Sequence, residues 1–349
     1  MKKILMLLVA VLLAATMFGC SNTPKEQLKV YSWGVYIDPD VITEFEREFN
    51  CKVIYDTFES NEQMYTKLMG GENYDVLVPS DYMIERLIAE DQLLELDLSK
   101  IENFDTLIPG VTNRSYDPGN KFSVPYFWGT VGLLYNTTKV DEAVLMEQGW
   151  SILANTDYKG RIFIYDSERD AFMIALKALG YSANTTVQAE IDEAALWLTN
   201  IAKTMDPVYV TDDSIDAMIA GNKDIAVMYS GDAAYILTEN EEMSFFMPNE
   251  GTNLWVDGMV IYKNSQNVDL AHAWINFMLN EDVAAANSSY VGYTSPVQAV
   301  YDEMIGVDGE YEGNIAYEPR LGYEFDESFK NNEAMRKVIA DLWTRIKSN

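Results

Sequence analysis

Five short stretches of this sequence bring aromatic rings, hydroxyls and carboxylates together. They are Ser32-Trp33-Gly34-Val35-Tyr36, Pro79-Ser80-Asp81-Tyr82, Asp166-Ser167-Glu168-Arg169-Asp170, Tyr229-Ser230-Gly231-Asp232 and Trp255-Val256-Asp257. Arg169 is the only cation among them. Aromatic faces attract cations, at about 0.5–2 kcal/mol each. Carboxylates accept charge-assisted hydrogen bonds from ammonium groups, at about 1.5–3 kcal/mol each. Aromatic walls also pack against methylenes, at about 0.8 kcal/mol per buried CH₂. A slot with aromatic sides and acidic ends therefore suits a linear alkane bearing amines. An anion site would instead show arginines or a glycine-rich helix N-terminus.

The elements that must position these stretches alternate. Leu28–Trp33, Lys52–Thr57 and Asp75–Val78 read as strands, separated by helical patterns after Asp38-Pro39 and Ser60, with another helix over Tyr82–Ala89. The alternation resumes with strands at Arg161–Tyr165 and Asp224–Tyr229 and helices at Asp170–Leu179, Ile191–Met205 and Ile215–Ala220. Helices are also expected at Leu270–Leu279, Asp282–Tyr290 and Asn332–Ile346. Strand–helix alternation gives βαβ units and mostly parallel sheets. The length predicts two lobes rather than one core. Extended apolar runs at Gly129–Asn136 and Val256–Tyr262 link the two sets. Ligands of open α/β sheets sit beyond the carboxyl ends of the strands, where the five stretches fall.

Composition excludes several functions. The 349 residues hold 25 Lys+Arg, 55 Asp+Glu, one His and two Cys, a net charge of −30. A nucleic-acid binder needs the opposite balance. Two cysteines are too few for a disulfide scaffold. Any Ser-His-Asp triad or His-rich zinc site must run through His272, which is expected to be structural. Disorder is excluded because 48% of residues are hydrophobic. Cys51 is expected to be a small buried hydrophobe.

The N-terminus reads as an export signal over residues 1–19, with Lys2 and Lys3 before the apolar run Ile4–Phe18. The run is shorter than a typical membrane span. It ends Met17-Phe18-Gly19-Cys20-Ser21, which resembles the lipobox of bacterial lipoproteins, with Met17 in place of the usual Leu. That resemblance implies that Cys20 carries the lipid and that residues 20–27 form a polar tether. The alternative is an ordinary cleaved signal with a chance cysteine. Cleavage before Cys20 removes two lysines and no acid, taking the charge from −30 to −32.

Several stretches jointly resemble the periplasmic spermidine/putrescine-binding proteins of bacterial polyamine uptake systems. They are Val53–Glu62 (VIYDTFESNE), Val78-Pro79-Ser80-Asp81-Tyr82, Val124–Gly129 (VPYFWG), Ala175–Thr186 (ALKALGYSANTT), Trp255-Val256-Asp257 and Gly292–Pro296 (GYTSP). The resemblance covers about Val30 to Gly292. It implies a two-lobed type II periplasmic binding fold with lobes at 28–130 plus 256–292 and at 131–255 plus 293–349. It implies cleft binding of a polyamine without chemistry or cofactor, by a monomer that delivers its ligand to an ABC permease. It implies export, either lipid-anchored on the outer face of the cell membrane or periplasmic. Carried over by position, the ligand-facing residues are Trp33, Tyr36, Ser80, Tyr82, Ser167, Asp170, Tyr229, Trp255 and Asp257, with a further polar contact near Asp326. Ser167 stands where relatives often have Asp, Tyr229 where they often have Trp, and Gly34 replaces a hydroxyl residue, which leaves the choice of polyamine open.

Plainer readings stand beside these. Trp33 and Trp255 could be core, as Trp128 is expected to be. Asp170 could only cap its helix, and Asp257 alone would read as a turn residue. Two other classes compete: a secreted glycosidase with paired carboxylates, and a same-fold receptor for another solute. No single carboxylate pair stands out for the first. Ferric sites rely on clustered Tyr and His, and sugar sites on Asn, Gln and Arg, so the acid-plus-Trp pattern disfavours the second.

Overall fold

The structure, a computed structural model, describes residues 26–211 and 214–348. The leader and nearly all of the tether, Cys20 included, lie outside the described residues. Among the described residues nine strands form: β1 (Gln27–Trp33), β2 (Lys52–Phe58), β3 (Val76–Leu77), β4 (Ser123–Asn136), β5 (Ile162–Tyr165), β6 (Val208–Val210), β7 (Ile225–Tyr229), β8 (Met243–Phe246) and β9 (Leu254–Ile261). The main helices are α1 (Pro39–Glu48), α2 (Asn61–Met69), α3 (Asp81–Ala89), α4 (Glu142–Gln148), α5 (Glu168–Ala178), α6 (Gln188–Met205), α7 (Ser214–Ile219), α8 (Ser230–Glu239), α9 (Val268–Met278), α10 (Glu281–Val291), α11 (Gln298–Ile305) and α12 (Glu333–Lys347).

Local chemistry starts these elements where the sequence places them. Asp38 caps α1 by accepting from the Asp40 N–H, with Pro39 at the first helical position. Ser60 caps α2 through the Gln63 N–H. Buried Cys51 precedes β2. His272 is structural: its Nε2 accepts from the Asp97 N–H at 3.0 Å and its Nδ1 lies 2.8 Å from the Val268 carbonyl.

The sheet order is β2-β1-β3-β9-β4-β7-β5-β6, with β8 on the other edge of β4. Two parallel trios result, β2-β1-β3 and β7-β5-β6. Antiparallel β4 and β9 join them; the two-lobed α/β fold is the one the sequence predicts, but the sheet is mixed instead of mostly parallel, because these two long strands run antiparallel through the seam. β4 changes partners along its length: Ser123–Thr130 pairs with β9, and Val131 onward pairs with β7. All fourteen of its residues are buried, as its position between the halves demands.

A single carboxylate fastens the first half to the turn after β9. Asp75, 2% exposed, accepts from the Lys29 N–H at 2.9 Å, the Ser265 hydroxyl at 2.7 Å and the Gln266 N–H at 3.0 Å. Removing it takes the acceptor from these part-buried donors. Asp75→Ala is expected to lose about 2–4 kcal/mol of stability in urea unfolding. A loss under about 0.5 kcal/mol would show that the turn holds without it.

Candidate functional site

The first half supplies Trp33, Tyr36, Ser80 and Tyr82. Trp33 ends β1 against Phe58, with ring centroids 4.6 Å apart, and its indole N–H is buried without a partner. Val35 then takes a left-handed turn at φ 47°, which folds Tyr36 back inward. Tyr36 donates its hydroxyl to Asp257 Oδ2 at 2.7 Å and accepts the Tyr126 hydroxyl on its carbonyl at 2.8 Å. Ser80 precedes α3 but does not cap it with its side chain. Its backbone forms an antiparallel bridge with Asp257. The Asn61 amide donates to Ser80 Oγ at 3.1 Å and to the Tyr82 hydroxyl at 3.0 Å, and so clamps both residues.

The second half supplies Asp170 and Tyr229. Tyr229 ends β7 and donates to Asp170 Oδ2 at 2.7 Å; Asp170 Oδ1 is buried without a partner. Ser167 caps α5, its Oγ accepting from the Asp170 N–H at 3.4 Å. Ser167 therefore positions Asp170 instead of supplying a charge.

Trp255 and Asp257 are two apart on β9, so both project from one face of the strand. The Trp255 indole N–H is also buried without a partner. The rings of Tyr36, Tyr293, Trp255 and Tyr229 follow one another edge to face, with successive centroids 5.6, 5.3 and 6.2 Å apart. Two glycines admit this wall. A Cβ at Gly129, paired with Trp255 across the ladder, would lie 2.6 Å from the indole. One at Gly231 would lie 1.2 Å from the Tyr293 ring.

The electrostatics are those of buried, under-compensated acids. Burial pushes Asp257 up to about 6 against the Ser80 and Tyr36 hydrogen bonds. Burial also raises Asp170, opposed by Tyr229 and Ser167. The same burial holds the Tyr36 and Tyr229 hydroxyls well above their ordinary value, so both stay protonated donors. Among the described residues, neither Asp257 nor Asp170 forms an ion pair.

Three residues depart from the sequence-based expectation. Asp326 is committed elsewhere: its carboxylate accepts from Arg320 at 3.0 Å and from the Thr252 N–H at 2.9 Å. It fastens the C-terminal segment to the approach to β9, which is a structural role. The Tyr82 ring lies under the Arg169 guanidinium at 3.7 Å, so a cation of the protein already covers that face. Asp81, to which sequence reasoning assigns no ligand role, is wholly buried. Its Oδ1 accepts the Tyr82 N–H at 2.7 Å and its Oδ2 has no partner. Burial pushes it up to about 7, aided by the Asp257 charge and opposed by the Tyr82 N–H, Arg114 and Arg169. Tyr293 and Asn61 also escaped sequence reasoning as site residues, although both lie in stretches that carry the family resemblance.

These shifts fix a sign. Both acids bind protons more tightly folded than unfolded, where the ordinary value of 3.8 applies. Their stabilising contribution is complete below 3.8 and disappears as pH rises through about 6 to 7. The ligand-free protein is therefore expected to melt at lower temperature at pH 8 than at pH 5, and Asp81→Asn is expected to flatten that dependence. Equal slopes for parent and variant would refute a buried, proton-holding Asp81.

Comparison with known proteins follows the same lines. The model of the bacterial extracellular solute-binding protein family matches residues 40–317. A spermidine/putrescine-binding periplasmic protein of Salmonella typhimurium is 32% identical over 292 residues, covering 83% of each chain. A putrescine/cadaverine-binding protein of Pseudomonas aeruginosa is 31% identical over 99% of each chain. Among solved structures, a spermidine/putrescine ABC transporter substrate-binding protein of Streptococcus pneumoniae is 39% identical with a TM-score of 0.79, covering 93% of this chain and 99% of that one. A Treponema pallidum lipoprotein is 28% identical with a TM-score of 0.79, covering 93% and 100%. These relatives are binding proteins of transport, not enzymes, and the chain belongs to the bacterial extracellular solute-binding protein family.

Proposed function

We propose that this protein captures a polyamine, spermidine or putrescine, between its lobes and delivers it to an ABC permease. The observation that carries the reading is the pair of buried carboxylates, Asp257 on Tyr36 and Asp170 on Tyr229, separated by a four-ring aromatic wall. Each carboxylate takes an ammonium group, and the rings line the methylenes between them. An uncharged ligand would leave both acids buried without a counter-charge, which is costly. The spermidine, putrescine and cadaverine in the names of the relatives support the same ligand class.

The finer assignments belong to this reading. The lobes are 28–130 with 256–292, and 131–255 with 293–349. Trp33, Trp255 and Tyr229 face the chain of the ligand, Ser80 and Ser167 orient the two acids, and Tyr82 borders the slot under Arg169. Cys20 carries the lipid that keeps the receptor, a monomer, at the outer face of the membrane beside its permease. Among the described residues no helix is long and apolar enough to cross a membrane.

The test is isothermal titration with both polyamines. Asp257→Asn keeps size and hydrogen bonding but removes the charge, and is expected to weaken binding by about 2–4 kcal/mol, roughly thirty- to a thousand-fold. Glu44→Gln, on the exposed face of α1, is the control and changes affinity little. Ser167→Asp adds a carboxylate beside Asp170 and is expected to favour spermidine over putrescine. If Asp257→Asn binds as tightly as the control, the amine is anchored elsewhere.

A further inference from the structure

One cavity has the opposite character to the slot. It has a volume of about 250 Å³ and lies among α5, the start of α6, residues 329–332 and α12. This is room for about eight waters' worth of liquid. Phe172, Leu176, Met335 and Ile339 form its apolar wall. Phe172 and Leu176 follow Arg169 at helical spacing, on a face of α5 turned away from Asp170. Three cations line the cavity, Arg169, Lys330 and Arg336, and no carboxylate does. In a chain with 55 acids and 25 bases, that inversion marks a local demand for negative charge.

The demand is only partly met from within. Arg336 is paired with Glu333 at 2.9 Å. Among the described residues, Arg169 and Lys330 form no ion pair. Arg169 Nε is buried without a hydrogen-bond partner, while the guanidinium stacks on Tyr82. A planar guanidinium with an unused N–H beside an apolar chamber suits a carboxylate, which it can grip in fork geometry.

We propose that this cavity is a second binding site, for a small carboxylate with a short apolar chain. The head sits on Arg169 and Lys330, and the chain lies along Phe172, Leu176, Met335 and Ile339. The site is separate from the polyamine reading, since its charge repels amines. It borders the slot through Arg169 and Phe329, both of which pack on the Tyr82 ring.

Hexanoate is the probe, with hexylamine as its isosteric cation, added to polyamine-free mature protein. Assigned methyl NMR reads the Met335 and Ile339 signals. Hexanoate is expected to shift both saturably with roughly millimolar Kd, as a ligand of this size allows. Hexylamine is expected to leave them in place. Lys330→Glu, at an exposed position, should weaken hexanoate about tenfold or more while the remaining methyl spectrum stays native. The proposal is overturned if hexanoate leaves Met335 and Ile339 unmoved at about twenty times that Kd, if hexylamine shifts them equally, or if Lys330→Glu binds as the parent does.

Discussion

Asp257 and Asp170 each exchange water for a strong tyrosine hydrogen bond, at 2.7 Å in both cases. A hydroxyl can orient a carboxylate, but it cannot neutralise one. The cost of the buried charge therefore stays in the ligand-free protein until a cation arrives or a proton does. This single constraint accounts for the raised Asp257 and for Tyr36 and Tyr229 being held as donors.

The two carboxylates come from different parts of the fold, Asp257 from β9 and Asp170 from α5. β9 carries Trp255 and Asp257 on one face and belongs to the seam between the trios. β4 runs beside it and reaches into both halves. Gly129 and Gly231 leave the space that Trp255 and Tyr293 fill, so the wall is set by what the backbone omits. The Arg320–Asp326 pair and the buried Lys177–Glu327 pair hold the C-terminal segment against the approach to β9. Structural ion pairs and ligand-seeking acids are thus kept apart: the former are paired within the chain, the latter are not.

Much of this was legible in the sequence because it is local. Caps such as Asp38 and Ser60, the Pro39 start and the apolar runs of β1, β2, β5 and β7 are written within a few residues of where they act. The family resemblance assigns Trp33, Tyr36, Asp170, Tyr229, Trp255 and Asp257 to one site, although Trp255 and Asp257 lie near the start of β9 and not beyond its carboxyl end. What escaped was non-local or weakly patterned. α8 follows Tyr229 at once with no capping side chain, and β8 is four residues long with only two turned inward. The family resemblance points to a ligand contact near Asp326, and its pairing with Arg320 is not visible in the sequence. Asp81 draws no ligand role from the sequence because complete burial of an acid beside a helix start cannot be read from its sequence neighbours.

The central claim is that a cation replaces protons on buried carboxylates. The direct measurement is calorimetry of spermidine binding at pH 6.5 in two buffers of different ionisation enthalpy. Spermidine's amines are already protonated there, so any proton exchanged comes from the protein. Since Asp81 and Asp257 are held at about 7 and about 6, binding is predicted to release protons at pH 6.5, and to release far fewer at pH 8.5. A binding heat independent of buffer at pH 6.5, or net proton uptake, would contradict the account.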